Sequence, residues 1–311
     1  MFTLIACYAQ LPIPLRGNEN LLSGPDKESE TLEVFYRIME RARKEKWASL
    51  SIGENIEKIG KQMIGTEYAG GTLEGEGPEI CRVDLTGLDC VTLYENVLCM
   101  ARILKKRKTT FDDFVAELAF TRYRKGKLTD YTSRLHYTSD WIYDNEKKKV
   151  VRDITKEIGG EEFPVQVSFM SEHLHLYPAL KEFPGFIEII TSLEEEINKR
   201  KHWFVPQGKI KKAQKHLKTG DIIAVVTNKE GLDYAHTGLA YRDKRGIIRF
   251  LHASQEKGKV FLDTELSVYI QSVKTYIGMT VARPCPVLHF KNLQHDNSYD
   301  CGSYKVVGHR D

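Results

Sequence analysis

The sequence predicts an α+β fold, and three observations carry that prediction. Apolar residues recur at helical spacing early in the chain, strand-like stretches divided by turn residues fill its last part, and the two patterns do not alternate. Helices first and a meander after them describe helices packed on one antiparallel sheet, not a series of β–α units. The 311 residues are 41% hydrophobic and 29% charged, enough for one extended core. Their 46 basic and 43 acidic side chains are intermixed, for a net charge of +3, which excludes a nucleic-acid binder held by a single-sign field. No apolar run approaches the roughly 20 residues needed to cross a bilayer, so no transmembrane segment is expected.

The elements follow in order. Leu32, Phe35 and Met39 predict one helix, and Ile52, Ile56, Ile59 and Met63 a second. A glycine-rich loop through Gly65, Gly70, Gly71, Gly75 and Gly77 leads to Thr86-Gly87-Leu88-Asp89-Cys90. Val91, Tyr94, Val97, Leu98, Ala101 and Leu104 then repeat at three and four residues, an amphipathic helix with Asp89 as its N-cap and Cys90 on its first turn. Thr110 opens a further helix through Phe111, Phe114 and Leu118. Residues 123–206 read as a polar, irregular insertion with one helix around 191–201. Strands are predicted at 222–227, 235–241, 247–253, 259–262 and 279–283. The domain is thus placed at 30–284, between an N-terminal segment 1–29 and a tail 285–311.

The six cysteines are too sparse for a disulfide scaffold and include no C-x-x-C pair, so each stands on its own. A thiol is nucleophilic as thiolate, which a helix N-terminus favours through its dipole and its N–H groups. The same N–H groups are expected to receive the oxyanion formed when a carbonyl is attacked. Cys90 fits that position. Two histidines stand in the predicted sheet, at Ala235-His236-Thr237 and Leu251-His252-Ala253, flanking a turn at residues 243–246. If Asp243, Lys244 and Arg245 form the loop, Arg242 pairs with Gly246, and the same register sets His236 directly opposite His252 on one face. One imidazole then orients the other beside the thiol, a Cys-His-His arrangement suited to attack on an amide.

These residues resemble the NlpC-type papain-like hydrolases of bacterial cell walls. The resemblance runs through Gly65, Thr66, Tyr68, Gly70 and Gly71, then Asp89-Cys90, then His236-Thr237-Gly238-Leu239 and Leu251-His252-Ala253-Ser254. It implies a papain-like (NlpC-type) fold with a large insertion between Cys and His, and it implies Cys90 as nucleophile, His236 as base and His252 as the orienting member. The family's usual Asp-Cys-Ser-Gly is here Asp89-Cys90-Val91-Thr92, which departs from the endopeptidase branch. The pattern is similar to the N-acetylmuramoyl-L-alanine amidase-like branch, through Gly71-Thr72-Leu73-Glu74, Asp89 to Thr92, Arg134 to Tyr137 with Trp141, and Gly231-Leu232-Asp233.

That resemblance implies hydrolysis of the bond between N-acetylmuramic acid and L-alanine, in polymeric peptidoglycan or a muropeptide, by an acyl-enzyme route needing no cofactor or metal. The alternatives are a γ-D-glutamyl-diamino acid endopeptidase and a non-catalytic cell-wall binding module. Tyr68, Glu74, Asp89, Arg134, His136 and Tyr137 are the expected substrate-binding residues, with Arg134 suited to gripping a carboxylate in bidentate fashion. Glu95, one turn beyond Cys90, is expected to anchor the helix. His173 and His175 form a His-x-His pair without a neighbouring carboxylate or cysteine cluster, and a metal-free role is expected for them. The basic run through Lys209, Lys211, Lys212 and Lys215 reads as a solvated face, and the second Asp-Cys pair, Asp300-Cys301, as non-catalytic. Leu4-Ile5-Ala6-Cys7 reads like a lipobox, although the stretch before it is short and lacks a basic region. A monomer in the periplasm or cell envelope is expected, lipid-anchored if Cys7 is acylated.

Overall fold

The computed structural model describes residues 26–287, so the expectations for Cys7 and for Asp300-Cys301 lie outside the described residues. Helices α1 (Asp26–Lys44), α2 (Ile52–Gln62), α3 (Cys90–Lys105) and α4 (Phe111–Arg122) precede the main sheet strands, with the short strands β1 (Glu67–Tyr68) and β2 (Gly87–Leu88) on the loop between α2 and α3. α2 starts at a capping box in which Ser51 and Glu54 satisfy each other's backbone N–H. α3 is buried on every side, with Leu93, Val97, Leu98, Met100 and Ile103 all fully enclosed, as expected for the central helix of the domain.

The segment read as an irregular insertion is more ordered than its sequence suggests. It holds α5 (Thr138–Lys147), β3 (Val151–Asp153), β4 (Glu161–Phe163), α6 (Phe169–Glu172), α7 (Pro178–Glu182), α8 (Phe186–Asn198) and β5 (His202–Pro206). The single helix expected around 191–201 is α8, which begins earlier. β3 and β5 pair with the last strand among the described residues, so this segment is stitched into the principal sheet while also closing a small core of its own around Met170, Tyr177, Leu180 and Ile190. Strands of three to five residues with one or no apolar alternation leave no period to read.

After α9 (Ile210–Ala213) come β6 (Ile222–Thr227), β7 (Tyr234–Arg242), β8 (Ile248–Ser254) and β9 (Lys259–Glu265), then α10 (Leu266–Gln271) and β10 (Tyr276–Pro284). The sheet order is β2-β1-β9-β8-β7-β6-β10-β5-β4, with β3 also on β10. It is antiparallel as predicted, except that β1 and β2 run parallel. Leu239, Leu251 and Ala253 face the core shared with α2 and α3, whereas Ala240 and Phe250 face a second core with Leu266 and Ile270 of α10.

The β7–β8 hairpin corrects the predicted register. Its three-residue loop is Lys244-Arg245-Gly246, because the left-handed position (φ 81°) must fall on the glycine inside the loop, and Asp243 N–H donates to the Ile247 carbonyl at 2.9 Å. The pairs are therefore Arg242 with Ile248 and Leu239 with Leu251. Relative to the expected pairing this is a slip of two residues, which keeps every side chain on its face. His236 and His252 become diagonal neighbours instead of direct partners.

Candidate functional site

Residue by residue, the site begins at the head of α3. The Asp89 carboxylate accepts from the N–H groups of Val91 and Thr92 at 3.0 and 2.7 Å, and Asp89 N–H donates to Thr92 Oγ1 at 2.9 Å. Asp-x-x-Thr thus closes a capping box with Thr92 in the place usually taken by Glu or Gln, a physical reason for the Asp-Cys-Val-Thr sequence. The cap also narrows one expectation: the Val91 and Thr92 N–H groups are taken by Asp89 and do not remain for an oxyanion. Burial pushes the Asp89 carboxyl up, and the hydrogen bonds from Thr92 oppose it.

Further along α3, Glu95 does anchor the helix. It accepts from Arg122 Nε at 2.8 Å and from Trp141 Nε1 at 3.1 Å, a buried ion pair completed by a second hydrogen bond. Removing one partner of such a pair costs roughly 3–5 kcal/mol.

The Thr237 hydroxyl donates to the Cys90 carbonyl at 2.8 Å, fastening the head of α3 to β7 one residue from His236. Thr237 faces α3. His236 faces the other side, and a bulge intervenes at the start of β7, where Val225 pairs with His236 but Val226 with Tyr234, leaving Ala235 as the extra residue.

On that second face the two imidazoles meet. His236 Nε2 and His252 Nδ1 are 2.6 Å apart, with the rings nearly perpendicular. Phe250 and Tyr269 contact both rings, and Phe261 contacts His252. This apolar box keeps both histidines below their ordinary pKa: burial is the main cause for His236, reinforced by His252, and burial also dominates for His252. Gly238 makes the diagonal meeting possible. A Cβ there would lie 2.6 Å from the Phe250 ring and 2.7 Å from the Leu251 carbonyl oxygen.

Behind His252 stands a residue that the sequence reading missed. Asp263 Oδ2 lies 3.2 Å from His252 Nε2, and Asp263 Oδ1 accepts from Thr264 N–H at 2.6 Å. The hydrogen bond with His252 holds the Asp263 carboxyl below the usual range. A register shift between β8 and β9, from Arg249–Glu265 to Leu251–Leu262, sits at this point of the ladder. The only sequence signal was parity: Asp263 is two residues beyond Phe261, the partner of His252, and so shares its face.

The expected substrate residues divide. Tyr68 pairs with Leu88, next to Asp89 and Cys90, at the mouth of α3, and burial with the nearby Asp89 charge raises its pKa. Arg134 is buried, with Nη1 on the Leu73 carbonyl, Nη2 on Glu74 and the guanidinium over the Tyr131 ring. The bidentate face expected to grip a substrate carboxylate is therefore occupied by protein groups. Glu74, its partner, is pushed up by burial against the pull of Arg134. His136 Nε2 donates to the Tyr131 carbonyl, and burial depresses its pKa. Tyr137 is equally committed, donating to Glu194 Oε1 at 2.6 Å. The Gly231-Leu232-Asp233 motif has a structural explanation, since the buried Asp233 accepts from Ser139 N–H at the start of α5.

His173 stacks on Phe169 and bonds the Phe169 carbonyl through Nδ1. Among the described residues no cluster of three or more His, Cys, Asp or Glu side chains is arranged to hold a metal, and no helix is long and apolar enough to cross a membrane.

The comparisons with known proteins converge on this fold. Residues 58–279 match the model of the N-acetylmuramoyl-L-alanine amidase-like family. A crystal structure of an N-acetylmuramoyl-L-alanine amidase from Bacteroides uniformis ATCC 8492 superposes with a TM-score of 0.71 at 31% identity, covering 75% of this chain and 98% of that one. A structure from Bacteroides fragilis, provisionally named as a xylanase, superposes with a TM-score of 0.68 at 34% identity, covering 72% and 98%. A protein from Legionella pneumophila str. Philadelphia 1, 22% identical, shares the fold with a TM-score of 0.63 over 84% of this chain and 96% of its own. No curated protein matches significantly. By the extent of the family match and by these relatives, the chain belongs to the N-acetylmuramoyl-L-alanine amidase-like family.

Proposed function

We propose that this protein is a cysteine amidase of the cell wall, which hydrolyses the N-acetylmuramoyl-L-alanine bond of peptidoglycan or of released muropeptides. The observation that carries the reading is the hydrogen-bonded pair of buried imidazoles, His236 of β7 and His252 of β8, the first of them followed by the residue that holds the head of α3. A module that only binds wall polymer has no use for such a pair. A retaining or inverting glycosidase needs two carboxyl groups flanking the bond, whereas the carboxylates here are committed, Asp89 to the cap of α3 and Asp263 to His252.

In the proposed reaction Nδ1 of His236 takes the proton of the Cys90 thiol, the two residues being neighbours through the bond of Thr237 to the Cys90 carbonyl. The thiolate attacks the lactyl carbonyl of N-acetylmuramic acid, the imidazolium protonates the departing L-alanine nitrogen, and water then releases the thioester. The dipole of α3 favours the thiolate at its head. The papain-like description of the fold, of the NlpC type, belongs to this proposal, as does the placing of the substrate against Tyr68 at the mouth of α3. A protein with this substrate works in the periplasm or cell envelope.

The departure from Asp-Cys-Ser-Gly at Val91 and Thr92 favours the amidase over the γ-D-glutamyl-diamino acid endopeptidase. Digestion of defined muropeptides under reducing conditions, read by mass spectrometry, separates them: a freed lactyl sugar supports the amidase, a freed L-Ala-D-Glu dipeptide the endopeptidase. Cys90→Ser is expected to lower turnover by roughly 10³-fold or more, because an alkoxide is far harder to form than a thiolate. Unchanged turnover in that variant ends the proposal.

A further inference from the structure

The chain of hydrogen bonds from His236 to Asp263 has a direction, and the residue at its far end sets it. An ionised carboxylate only accepts, so the proton shared between His252 and Asp263 sits on His252 Nε2. A neutral imidazole carries one N–H, so His252 Nδ1 is then an acceptor. The 2.6 Å contact must be filled by a proton on His236 Nε2. That leaves the lone pair of His236 on Nδ1, the atom to which the proposed reaction assigns the proton transfer. With the opposite polarity, Nδ1 of His236 would carry a proton and could accept none.

We propose that Asp263 is a positioning residue which fixes the tautomers of both histidines and so holds Nδ1 of His236 ready as the base. The inference rests on the cysteine-amidase reading for its catalytic consequence, although the tautomers themselves do not depend on it. Two features fit Asp263 for the task. Its Oδ1 is pinned by Thr264 N–H, so Oδ2 is the atom turned to His252. It stands where the β8–β9 register shifts, and it shares the face of His252.

The pinned oxygen makes the proposal sharply testable. In Asp263→Asn the single amide oxygen goes to Thr264 N–H, and the NH₂ group faces His252. His252 Nε2 must then accept, its Nδ1 carries the proton, and His236 is inverted in turn. Asp263→Ala removes the partner without inverting anything. The isosteric Asn variant is therefore expected to be the more damaging of the two, with kcat reduced by roughly 10³-fold or more, as for other wrong-tautomer variants. For Ala the expected loss is about 10²-fold, with KM changed little in either.

The direct readout is the ¹⁵N spectrum of the full chain labelled at histidine, recorded with and without a muropeptide assay on the same samples. The wild type is expected to show both histidines protonated at Nε2, and Asp263→Asn to show both protonated at Nδ1. A merely structural role predicts the reverse ranking, with the smaller Ala the worse substitution. Wild-type tautomers in Asp263→Asn, or an Ala variant slower than the Asn variant, overturn the inference. Turnover that survives Cys90→Ser overturns the amidase reading instead, and the spectra still decide the role of Asp263 because they require no catalysis.

Discussion

Replacing Asp89 by Ala strips the cap from α3 and leaves the Val91 and Thr92 N–H groups bare beside the sulfur. Loss of an N-cap costs about 1 kcal/mol, and the same change loosens the turn that aims Cys90. Asp89→Ala is therefore expected to lower both the melting temperature and the amidase rate, measured by thermal denaturation and by muropeptide cleavage. At this scale much was legible in the sequence. Asp89 announces a helix start, and Cys90 follows it. His236 and His252 stand on strands whose turn residues nearly fix their register. Asp263 was not legible, since its partnership depends on a ladder irregularity that leaves no composition signal. The assignment of Arg134 failed for a related reason: a guanidinium suited to a ligand carboxylate is equally suited to Glu74, and only the fold shows which one it meets.

At the scale of the element, Gly238 shows how a hairpin accommodates two rings. Gly238→Ala brings a methyl group against the Phe250 ring and, less yieldingly, against the Leu251 carbonyl oxygen. Overpacking of this kind costs roughly 1–3 kcal/mol. The variant is expected to unfold at lower denaturant concentration and to lose activity by more than its folded fraction explains, measured by urea titration and by rate at equal folded protein. The hairpin also shows why its predicted register erred. The loop length was right, but the glycine was placed outside the loop, and the need for a positive φ moves it inside. For the segment between residues 123 and 206, sequence period had nothing to offer. Its strands are short, and β10, the pairing partner of β3 and β5, lies far along the chain.

Across the whole molecule, acid is resisted unevenly. His202 is buried on β5, donates from Nε2 to the Ile197 carbonyl, and has its pKa lowered by burial, against the pull of that carbonyl and of Asp233. Below about pH 6.5 the unfolded chain protonates this histidine while the folded chain refuses the proton, so its contribution is present above that pH and is lost as pH falls. Gln at the same position keeps an N–H donor and has no proton to gain. His202→Gln is expected to lose less stability than the wild type between pH 7 and pH 5, measured as the change in melting temperature. An equal loss in both proteins would show that His202 does not contribute.

The bond from Thr237 to Cys90 joins groups 147 positions apart. On the proposed reading, a nascent chain carries its sulfur out of the ribosome long before any base exists to activate it. Every partial product that stops short of β7 is inert toward the wall that would house it. On that reading, the power to cut wall polymer arrives only with β7 and never with the sulfur alone.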